Sequence, residues 1–208
     1  MAPIVSFRTE LSRKVFHLSS ATIAVAYIFL DRTIMLWGLA ACLAIAVIVE
    51  VLRYRHVGFH GVFARLVGFM LRDAEWQRLT GSTYVLLGAL LSVALFPPKR
   101  VVIAVLLVLS ISDSAASLVG LRFGRTRFLG KSLEGSGAFF ATALVIMWLA
   151  LPGARGVAFA GAVVATVIEA LPALKLGRFE LNDNVTVPLV TGAAICGLAQ
   201  LSGAPLGM

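Results

Sequence analysis

The chain has 208 residues, of which 60% are hydrophobic and 13% are charged. A soluble domain is nearer half apolar and a quarter charged, so the composition rules out a disordered chain and argues against a soluble globular enzyme. A mean hydropathy of +0.96 instead predicts a polytopic membrane protein with nearly all of its residues in the bilayer. The net charge of +8 is attributed to basic cytoplasmic loops, and nucleic acid is not expected as a partner.

Seven apolar stretches predict transmembrane helices. They are Val15–Leu30, Ile34–Leu52, Thr83–Phe96, Val101–Leu121, Ser136–Leu151, Val157–Leu176 and Val185–Leu201. A straight span needs about 20 residues, so the shorter stretches are expected to extend into their polar flanks. The predicted fold is therefore all-α, a single integral-membrane domain over residues 1–208 with about seven transmembrane helices. No cleavable signal peptide is expected, because the first 14 residues are polar and basic and further spans follow the first apolar run.

Lysine and arginine are divided unevenly between the two sets of loops. If the N-terminus is cytoplasmic, 14 of the 18 basic residues fall on the cytoplasmic side and four fall on the other. Cytoplasmic loops of membrane proteins carry such an excess. The N-terminus is therefore expected in the cytoplasm and the C-terminus outside.

The longest loop, residues 53–82, alternates apolar residues with Arg and His at near-helical spacing. This pattern predicts an amphipathic helix lying at the cytoplasmic interface of the membrane. A cytosolic extension of the second span explains the pattern equally well. At the start of this loop, Arg53 and the preceding Glu50 of the second span fit either a structural pair at a helix end or a functional pair.

Several ionisable residues fall inside the predicted spans, where they are costly and mark function by default. At 1.5 Å per residue, Asp113 is expected about 10 Å inside the cytoplasmic end of the fourth span. Glu169 is expected at a similar depth in the sixth span, and His17 near the inner start of the first. Because the outer half has almost no polar residues, the sequence predicts one polar cavity that opens to the cytosol.

The third, fifth and seventh predicted spans each begin with a short polar segment, at residues 80–82, 134–136 and 182–184. Helix N-termini offer free N–H groups and the positive end of the helix dipole, which suit phosphate. Chance explains the similarity of the three segments as well as an internal repeat does. If they are related, three helix starts are expected to face the same cavity.

The segment 113–136 combines a buried acid with a glycine-rich basic loop. Asp113, Ser117 and Gly120 share one face of a helix. The loop that follows carries four basic residues, Arg122, Arg125, Arg127 and Lys131. Glycine lets backbone approach a ligand, basic side chains neutralise phosphate, and an adjacent acid can hold Mg²⁺. The pattern predicts a nucleotide or phosphate site, although an ordinary basic loop beside a buried acid explains it equally well.

This segment resembles the signature of the CTP-dependent lipid kinases. That family includes dolichol kinase, phytol and farnesol kinases and CTP-dependent diacylglycerol kinase, and it is related to the phosphatidate cytidylyltransferases. The matching residues are Asp113, Ala116, Gly120, Gly124, Lys131, Ser132, Glu134, Gly135 and Ser136. Weaker matches are Arg13-Lys14-x-x-His17, Glu50-x-x-Arg53, Glu169 and Asp183-Asn184, so the resemblance covers nearly the whole chain. One departure is Arg125-Thr126-Arg127, where many members have Gly-Lys.

The resemblance implies a kinase that uses Mg²⁺ and transfers the terminal phosphate of CTP to a membrane lipid alcohol at the cytoplasmic face. The acceptor would be a polyprenol or dolichol, phytol, or diacylglycerol. Asp113 would bind Mg²⁺ with Glu169 or Asp183, Lys131 would be catalytic, and His17, Glu169 and Asp183 are candidates for the base. The residues implied to hold the nucleotide are Arg13, Lys14, Ser117, Gly120, Gly124, Arg125, Arg127, Ser132, Glu134, Gly135, Ser136 and Asn184.

Two other functions compete with this interpretation. A cytidylyltransferase would use the same metal, nucleotide and pocket to make a CDP-lipid from a lipid phosphate, but the short chain and the Lys-Ser-Leu-Glu-Gly-Ser motif favour the kinase. A small transporter is disfavoured because transporter sites lie near the bilayer midplane. The identity of the lipid, ATP as an alternative donor and the oligomeric state stay open.

Overall fold

The computed structural model of the chain describes residues 7–68, 71, 73–76, 78–172, 175–176, 179–180 and 182–206. Within these residues the chain is almost entirely helical, which confirms the predicted all-α class. The α-helices are α1 (Phe7–Ser19), α2 (Ala21–Phe29), α3 (Arg32–Arg55), α4 (Val57–Val67), α5 (Gly81–Leu95), α6 (Lys99–Leu107), α7 (Asp113–Phe123), α8 (Leu133–Ala150), α9 (Arg155–Ala170) and α10 (Asp183–Ser202). Two short hairpins pair β1 (Arg127–Phe128) with β2 (Lys131–Ser132), and β3 (Lys175–Leu176) with β4 (Phe179–Glu180).

Helices occupy all seven apolar stretches that the sequence predicts as spans. Four of the described helices are long and apolar enough to cross a membrane: α3, the continuous helix Lys99–Phe123, α8 and α10. α5 and α9 are shorter, with 15 and 16 residues. The chain is therefore a helical membrane protein, while the number of spans and the side of each terminus stay predictions.

The continuous helix Lys99–Phe123, formed by α6 and α7, lies at the centre of the fold. Of its most apolar stretch 61% is buried inside the protein, compared with 17% for α3. α8 and α10 pack against it, and α9 packs against α8 and α10, around fully buried residues such as Phe139 and Ile195. A π-helical segment, Val108–Ser112, interrupts this helix directly before Asp113. Such segments occur frequently at functional sites.

The sixth predicted span ends earlier than the apolar pattern indicates. α9 stops at Ala170 rather than continuing to the predicted end at Leu176. Leu171 is extended, with ψ 143°, because the residue before a proline, here Pro172, is disfavoured in the α conformation. Glu169 therefore lies in the last turn of α9, beside a loop.

The loop 53–82 contains a helix of its own. α3 ends at Arg55, and His56 has an extended backbone with φ −118° and ψ 111°, which excludes one continuous helix through the loop. The separate helix α4 leaves apolar side chains such as Val57 and Leu66 exposed. This agrees with the predicted amphipathic helix, whose placement at the membrane surface stays a prediction.

Gly88 brings α5 unusually close to the first turn of α10. A Cβ atom on Gly88 would lie 2.2 Å from the carbonyl oxygen of Asn184. Four residues after Asn184 the helix contains Pro188, which has no N–H to donate to that carbonyl. A residue without a side chain is therefore required at position 88, and its contact positions Asp183 and Asn184 at the start of α10.

Candidate functional site

Six ionisable residues from distant parts of the chain form one group, which we call the Asp113 cluster. Its members are Lys14 and His17 of α1, Asp113 of α7, Lys131 of β2, Glu169 of α9 and Asp183 of α10. Ion pairs join Asp113 to α1 and join Lys131 to the two later acids. An electrostatic interaction between Asp113 and Lys131 connects the two halves. The structure thus brings together all five residues that the sequence analysis proposes as catalytic, with Lys14 as the sixth.

The first half of the cluster surrounds the Asp113 carboxylate. Lys14 Nζ forms an ion pair with Asp113 Oδ2, and His17 Nε2 lies 3.4 Å from the same oxygen. The Lys14 side chain is only 8% exposed. Because a buried ammonium is costly without a partner, the ion pair with Asp113 offsets the cost of burying the Lys14 side chain.

The second half places one cation between two acids. Lys131 Nζ lies 2.5 Å from Glu169 Oε1 and 3.5 Å from Asp183 Oδ2. Glu169 is buried, whereas 36% of the Lys131 side chain and 42% of the Asp183 side chain are exposed. Burial lowers the pKa of the Lys131 ammonium, but Glu169 and Asp183 raise that pKa by more, so it lies above its ordinary value. Lys131 is consequently a charged group that solvent can reach.

The β1–β2 hairpin explains why Lys131 meets Glu169. Its tight turn includes Leu129 with φ 51°, a left-handed conformation that is rare for a bulky side chain. The N–H of Gly130 donates to the carbonyl oxygen of Ala170 at 3.1 Å. The hairpin is thereby fastened to the end of α9, and its next residue, Lys131, lies against Glu169.

The glycines of the 113–136 segment are needed for helix packing. A Cβ atom on Gly120 would lie 2.9 Å from Ser132 Oγ, and one on Gly135 would lie 2.9 Å from the carbonyl oxygen of Ala116. Gly124 is similarly close to Ser132. These glycines therefore let α7, α8 and the intervening loop approach each other, and their predicted role in closing on a nucleotide remains untested.

The remaining predicted nucleotide-binding residues of the loop lie beside the cluster. Arg125 and Arg127 are exposed. The Glu134 carboxylate accepts a hydrogen bond from the Thr126 N–H at 3.2 Å, so it holds the loop backbone that presents the two arginines. Ser136 is buried at the start of α8, and its hydroxyl has no hydrogen-bond partner among the described residues.

The other predicted nucleotide-binding residues lie on the helices that carry the cluster. Arg13 is half-buried on α1, and its charge reaches His17. Ser117 is half-buried on α7, one turn after Asp113. Both positions agree with the predicted nucleotide site without testing it.

A second buried network, which we call the Glu50 cluster, consists of Glu50, Arg53, Glu75, Thr80 and Thr83. Glu50 Oε2 lies 2.5 Å from an Arg53 guanidinium nitrogen, and Glu50 Oε1 accepts a hydrogen bond from the Thr80 N–H at 2.7 Å. Arg53 also donates to the carbonyl oxygens of Glu75 and Arg78, at 3.0 and 2.8 Å. The arginine is 2% exposed. These contacts favour the structural interpretation of the Glu50–Arg53 pair, which ties α3 to the chain that precedes α5.

The predicted phosphate-binding helix starts are already capped by the protein's own side chains. At α5, the N–H groups of Thr80 and Gly81 donate to the carboxylates of Glu50 and Glu75, at 2.7 and 2.8 Å. The expectation that this helix start offers those N–H groups to a ligand is therefore wrong.

The starts of α8 and α10 are capped in the same way. The Gly135 N–H donates to Ser132 Oγ, and the Asn184 N–H donates to Asn182 Oδ1. The Asn184 side chain also donates to the carbonyl oxygen of Gly81 at 3.1 Å. That bond joins the starts of α5 and α10, and with them the two clusters.

The predicted magnesium ligands lie in one cluster, with lysines between them. Among the described residues, no group of three or more His, Cys, Asp or Glu side chains is placed to hold a metal ion. Mg²⁺ usually takes only one or two carboxylates and completes its coordination with phosphate and water. Glu169 Oε2 is buried and has no hydrogen-bond partner within the described chain. Magnesium binding by the acids of the Asp113 cluster therefore stays a prediction, in which phosphate and water would complete the coordination.

Sequence similarity to known proteins covers most of the chain. The protein RP860 of Rickettsia prowazekii is 30% identical over 191 residues, which are 88% of this chain and 91% of that protein. CTP-dependent diacylglycerol kinase 1 of Saccharomyces cerevisiae is 31% identical over 146 residues, 67% of this chain and 50% of the kinase. Dolichol kinase of the same yeast is 33% identical over 84 residues, 38% of this chain and 16% of that enzyme. The chain belongs to the CTP-dependent lipid kinase family.

This membership confirms the resemblance carried by the 113–136 segment. The chain spans half of the length of the yeast diacylglycerol kinase and a smaller part of the yeast dolichol kinase. No family model matches the chain, and no solved structure matches it.

Proposed function

We propose that this protein is a single-domain membrane kinase that transfers the terminal phosphate of CTP to the hydroxyl of a lipid alcohol at the cytoplasmic face. The Asp113 cluster carries the proposal, because it combines two lysines and three carboxylates in a helical membrane protein. Membership of the CTP-dependent lipid kinase family supports CTP as donor. A polyprenol or dolichol, phytol, or diacylglycerol would be the acceptor.

Phosphoryl transfer depends mainly on positioning and on neutralising the phosphate charge. Lys131 would bind the transferred phosphate, since its ammonium is charged, partly exposed and held beside Glu169. Lys14 and Arg13 would add positive charge from α1, and Arg125 and Arg127 would contact the other phosphates from the exposed loop.

Magnesium would be held by Asp113, Glu169 and Asp183 together with the phosphates of the nucleotide. When bound, the ion would neutralise negative charge on the phosphate oxygens. The unpartnered Glu169 Oε2 is the described atom that most directly suggests a further ligand at this position.

The reaction requires an acceptor for one proton. The hydroxyl oxygen of the lipid attacks the terminal phosphorus, a new phosphorus–oxygen bond forms, and the bond to the bridging oxygen breaks so that CDP leaves. The hydroxyl proton passes to a carboxylate. Glu169 and Asp183 are the candidates, the first with an unpartnered buried oxygen and the second with greater exposure.

The test uses the purified full chain in detergent with Mg²⁺, CTP labelled on the γ-phosphate and a panel of lipid alcohols. We expect label on a lipid alcohol, and the Asp113→Asn variant should transfer it about 100- to 1000-fold more slowly. Release of labelled pyrophosphate that requires a lipid phosphate would instead identify a cytidylyltransferase. If no label moves with CTP or ATP and any acceptor, the kinase proposal is wrong and transport must be tested.

A further inference from the structure

The ring of His17 touches two oxygen atoms of the central helix through one nitrogen. His17 Nε2 lies 3.1 Å from the carbonyl oxygen of Leu109 and 3.4 Å from Asp113 Oδ2. The His17 side chain is only 15% exposed. The imidazole thus lies between a backbone carbonyl and the carboxylate at the centre of the Asp113 cluster.

These contacts fix the position of the ring hydrogen. A carbonyl oxygen can only accept a hydrogen bond, so Nε2 must carry the hydrogen that reaches Leu109. A nitrogen that already carries a hydrogen cannot take up another proton. The other ring nitrogen, Nδ1, is bonded to Cγ, the ring carbon attached to Cβ. Nδ1 therefore lies on the side of the imidazole that is nearer to the α1 backbone. The nitrogen that faces Asp113 is therefore a donor and not a base.

The backbone around Leu109 differs from an ordinary α-helix. Leu109 belongs to the π-helical segment, in which the backbone hydrogen bonds are spaced more widely than in an α-helix. One turn of α1 beyond His17, Ser20 Oγ lies 2.7 Å from Ser110 Oγ. The Ser20 hydroxyl also donates to the carbonyl oxygen of His17 at 2.6 Å. The residue that follows α1 thus also contacts the π-helical segment, close to the imidazole.

We propose that His17 is a positioning residue, in which the Nε2–H, directed by the Leu109 carbonyl of the π-helical segment, orients the Asp113 carboxylate. Lys14 then supplies the neutralising charge, and His17 does not accept the proton of the lipid hydroxyl. This inference rests on the proposed kinase function, because it assigns His17 a part in that reaction. Side chains that bind a metal are commonly oriented in this way, by hydrogen bonds from neighbouring residues that do not bind the metal themselves.

Two amide substitutions separate positioning from proton transfer. The amide nitrogen of Gln occupies roughly the place of histidine Nε2, whereas that of Asn corresponds to Nδ1, and neither amide is a base. We expect His17→Gln to keep most of the kcat for lipid phosphorylation. His17→Asn and His17→Ala should each lose about 10- to 100-fold in kcat, with a smaller change in KM for CTP. The exposed His56 provides the matched control, since His56→Gln should leave both constants unchanged.

The outcomes are distinct. If His17→Gln is as inactive as His17→Ala while eluting as a folded protein, His17 acts as a base or as a cation and the inference is wrong. If His17→Asn and His17→Ala both keep full activity, the imidazole does not orient Asp113, which also overturns it.

A second measurement does not depend on activity. Nitrogen NMR of the wild-type protein labelled at histidine, with His17→Ala used for assignment, reports which ring nitrogen is protonated. We expect Nε2 to carry a hydrogen, as its contact with the Leu109 carbonyl requires, and a ring whose Nε2 carries no hydrogen would overturn the inference. If the wild-type protein phosphorylates no lipid alcohol but shows this hydrogen on Nε2, the proposed function fails while the geometry of His17 stands.

Discussion

Two groups of buried charges in this molecule each contain a cation, Arg53 or Lys131, and these two cations have opposite character. In the Glu50 cluster, the Arg53 guanidinium is 2% exposed and donates to two backbone carbonyls as well as facing its acid. In the Asp113 cluster, Lys131 is 36% exposed and lies between two acids, and its ammonium donates to no backbone carbonyl within the described part of the chain. Arg53 therefore stabilises the fold, whereas Lys131 is exposed enough for a ligand to reach it.

This difference shows that a buried acid and base do not by themselves identify a functional site. Both clusters contain charged residues that are costly in a membrane protein unless they are paired. The partners of Arg53 and Lys131 distinguish the two clusters. Arg53 fixes the fold through its bonds to backbone carbonyls, whereas the exposed Lys131, which lies between carboxylates, is expected to bind phosphate. Removing a residue from the Glu50 cluster should therefore affect stability, and removing one from the Asp113 cluster should affect turnover.

The largest expected effect is on the Glu50 cluster. Arg53→Met leaves Glu50 buried without a cation and leaves two carbonyls without their donor, so the free energy of unfolding should fall by about 3–5 kcal/mol. Thermal unfolding in detergent measures this loss, and the exposed Arg55 supplies the control, Arg55→Met. Specific activity per folded molecule should stay near that of the wild type. A stable Arg53→Met protein with lost turnover would reverse the assignment of the two clusters.

Asp113→Asn should lower kcat by about 100- to 1000-fold, the range for removing one electrostatic contact from an active site. The amide keeps the shape of the side chain but loses the charge that Lys14 and His17 face. The assay is transfer of labelled phosphate from CTP, with thermal unfolding measured alongside. Asp31→Asn is the control, because Asp31 is exposed and makes no side-chain cap at α3. Wild-type turnover in Asp113→Asn would exclude Asp113 from the reaction.

Gly88→Ala tests the close contact between α5 and α10, which links the two clusters. The added Cβ would meet the Asn184 carbonyl oxygen at 2.2 Å, so α5 and α10 must separate, at a cost of about 1–3 kcal/mol. Both stability and turnover should fall, since Asp183 lies in the same turn of α10. Gly38→Ala has nothing within 4 Å of its added atom and should be neutral or slightly stabilising. Equal behaviour of the two variants would show that this close contact does not hold α10.

The smallest expected effect is on nucleotide affinity. Lys131→Ala should raise KM for CTP about tenfold, the value of one charge-assisted hydrogen bond, and should change KM for the lipid less. Lys99, which donates to the carbonyl oxygens of Ile28 and Leu30 at the end of α2, supplies the control variant Lys99→Ala. An equal increase in both KM values for Lys131→Ala would mean that Lys131 shapes the site rather than binding phosphate.

The pH dependence of Lys131 follows from its contacts. Its pKa in the folded protein is raised above the ordinary value of 10.5, so the stabilisation from its pairing is fully present below that value. The stabilisation is lost only as the pH rises through the higher folded pKa. No change in KM for CTP between neutral and mildly alkaline pH should therefore originate from Lys131, and a KM that rises there in the wild type but not in Lys131→Ala would contradict this.

Much of the architecture follows from the sequence because it is a local property. Apolar stretches of near-span length have to form helices in a membrane, where backbone groups have no water to bond. Asp113 and Glu169 are recognisable in the sequence because each is an ionisable residue within an apolar stretch, where a charge is costly. Local chemistry also decides where α9 ends, since Pro172 stops the helix, although the apolar pattern alone placed that end too late.

The contacts inside the site could not be predicted in this way. Lys14 and Asp113 are 99 residues apart in the chain and Lys131 and Glu169 are 38 apart. Only the tertiary packing of α1, the hairpin and α9 therefore decides which acid meets which base. The same packing determines that Glu50 and Glu75 cap α5, which leaves those N–H groups unavailable to phosphate. The sequence by itself determined which residues are too polar for their surroundings, because that depends on composition and helical spacing. Tertiary structure alone decided their partners, because a charge in a low-dielectric interior pairs with whatever opposite charge the helix packing brings within reach.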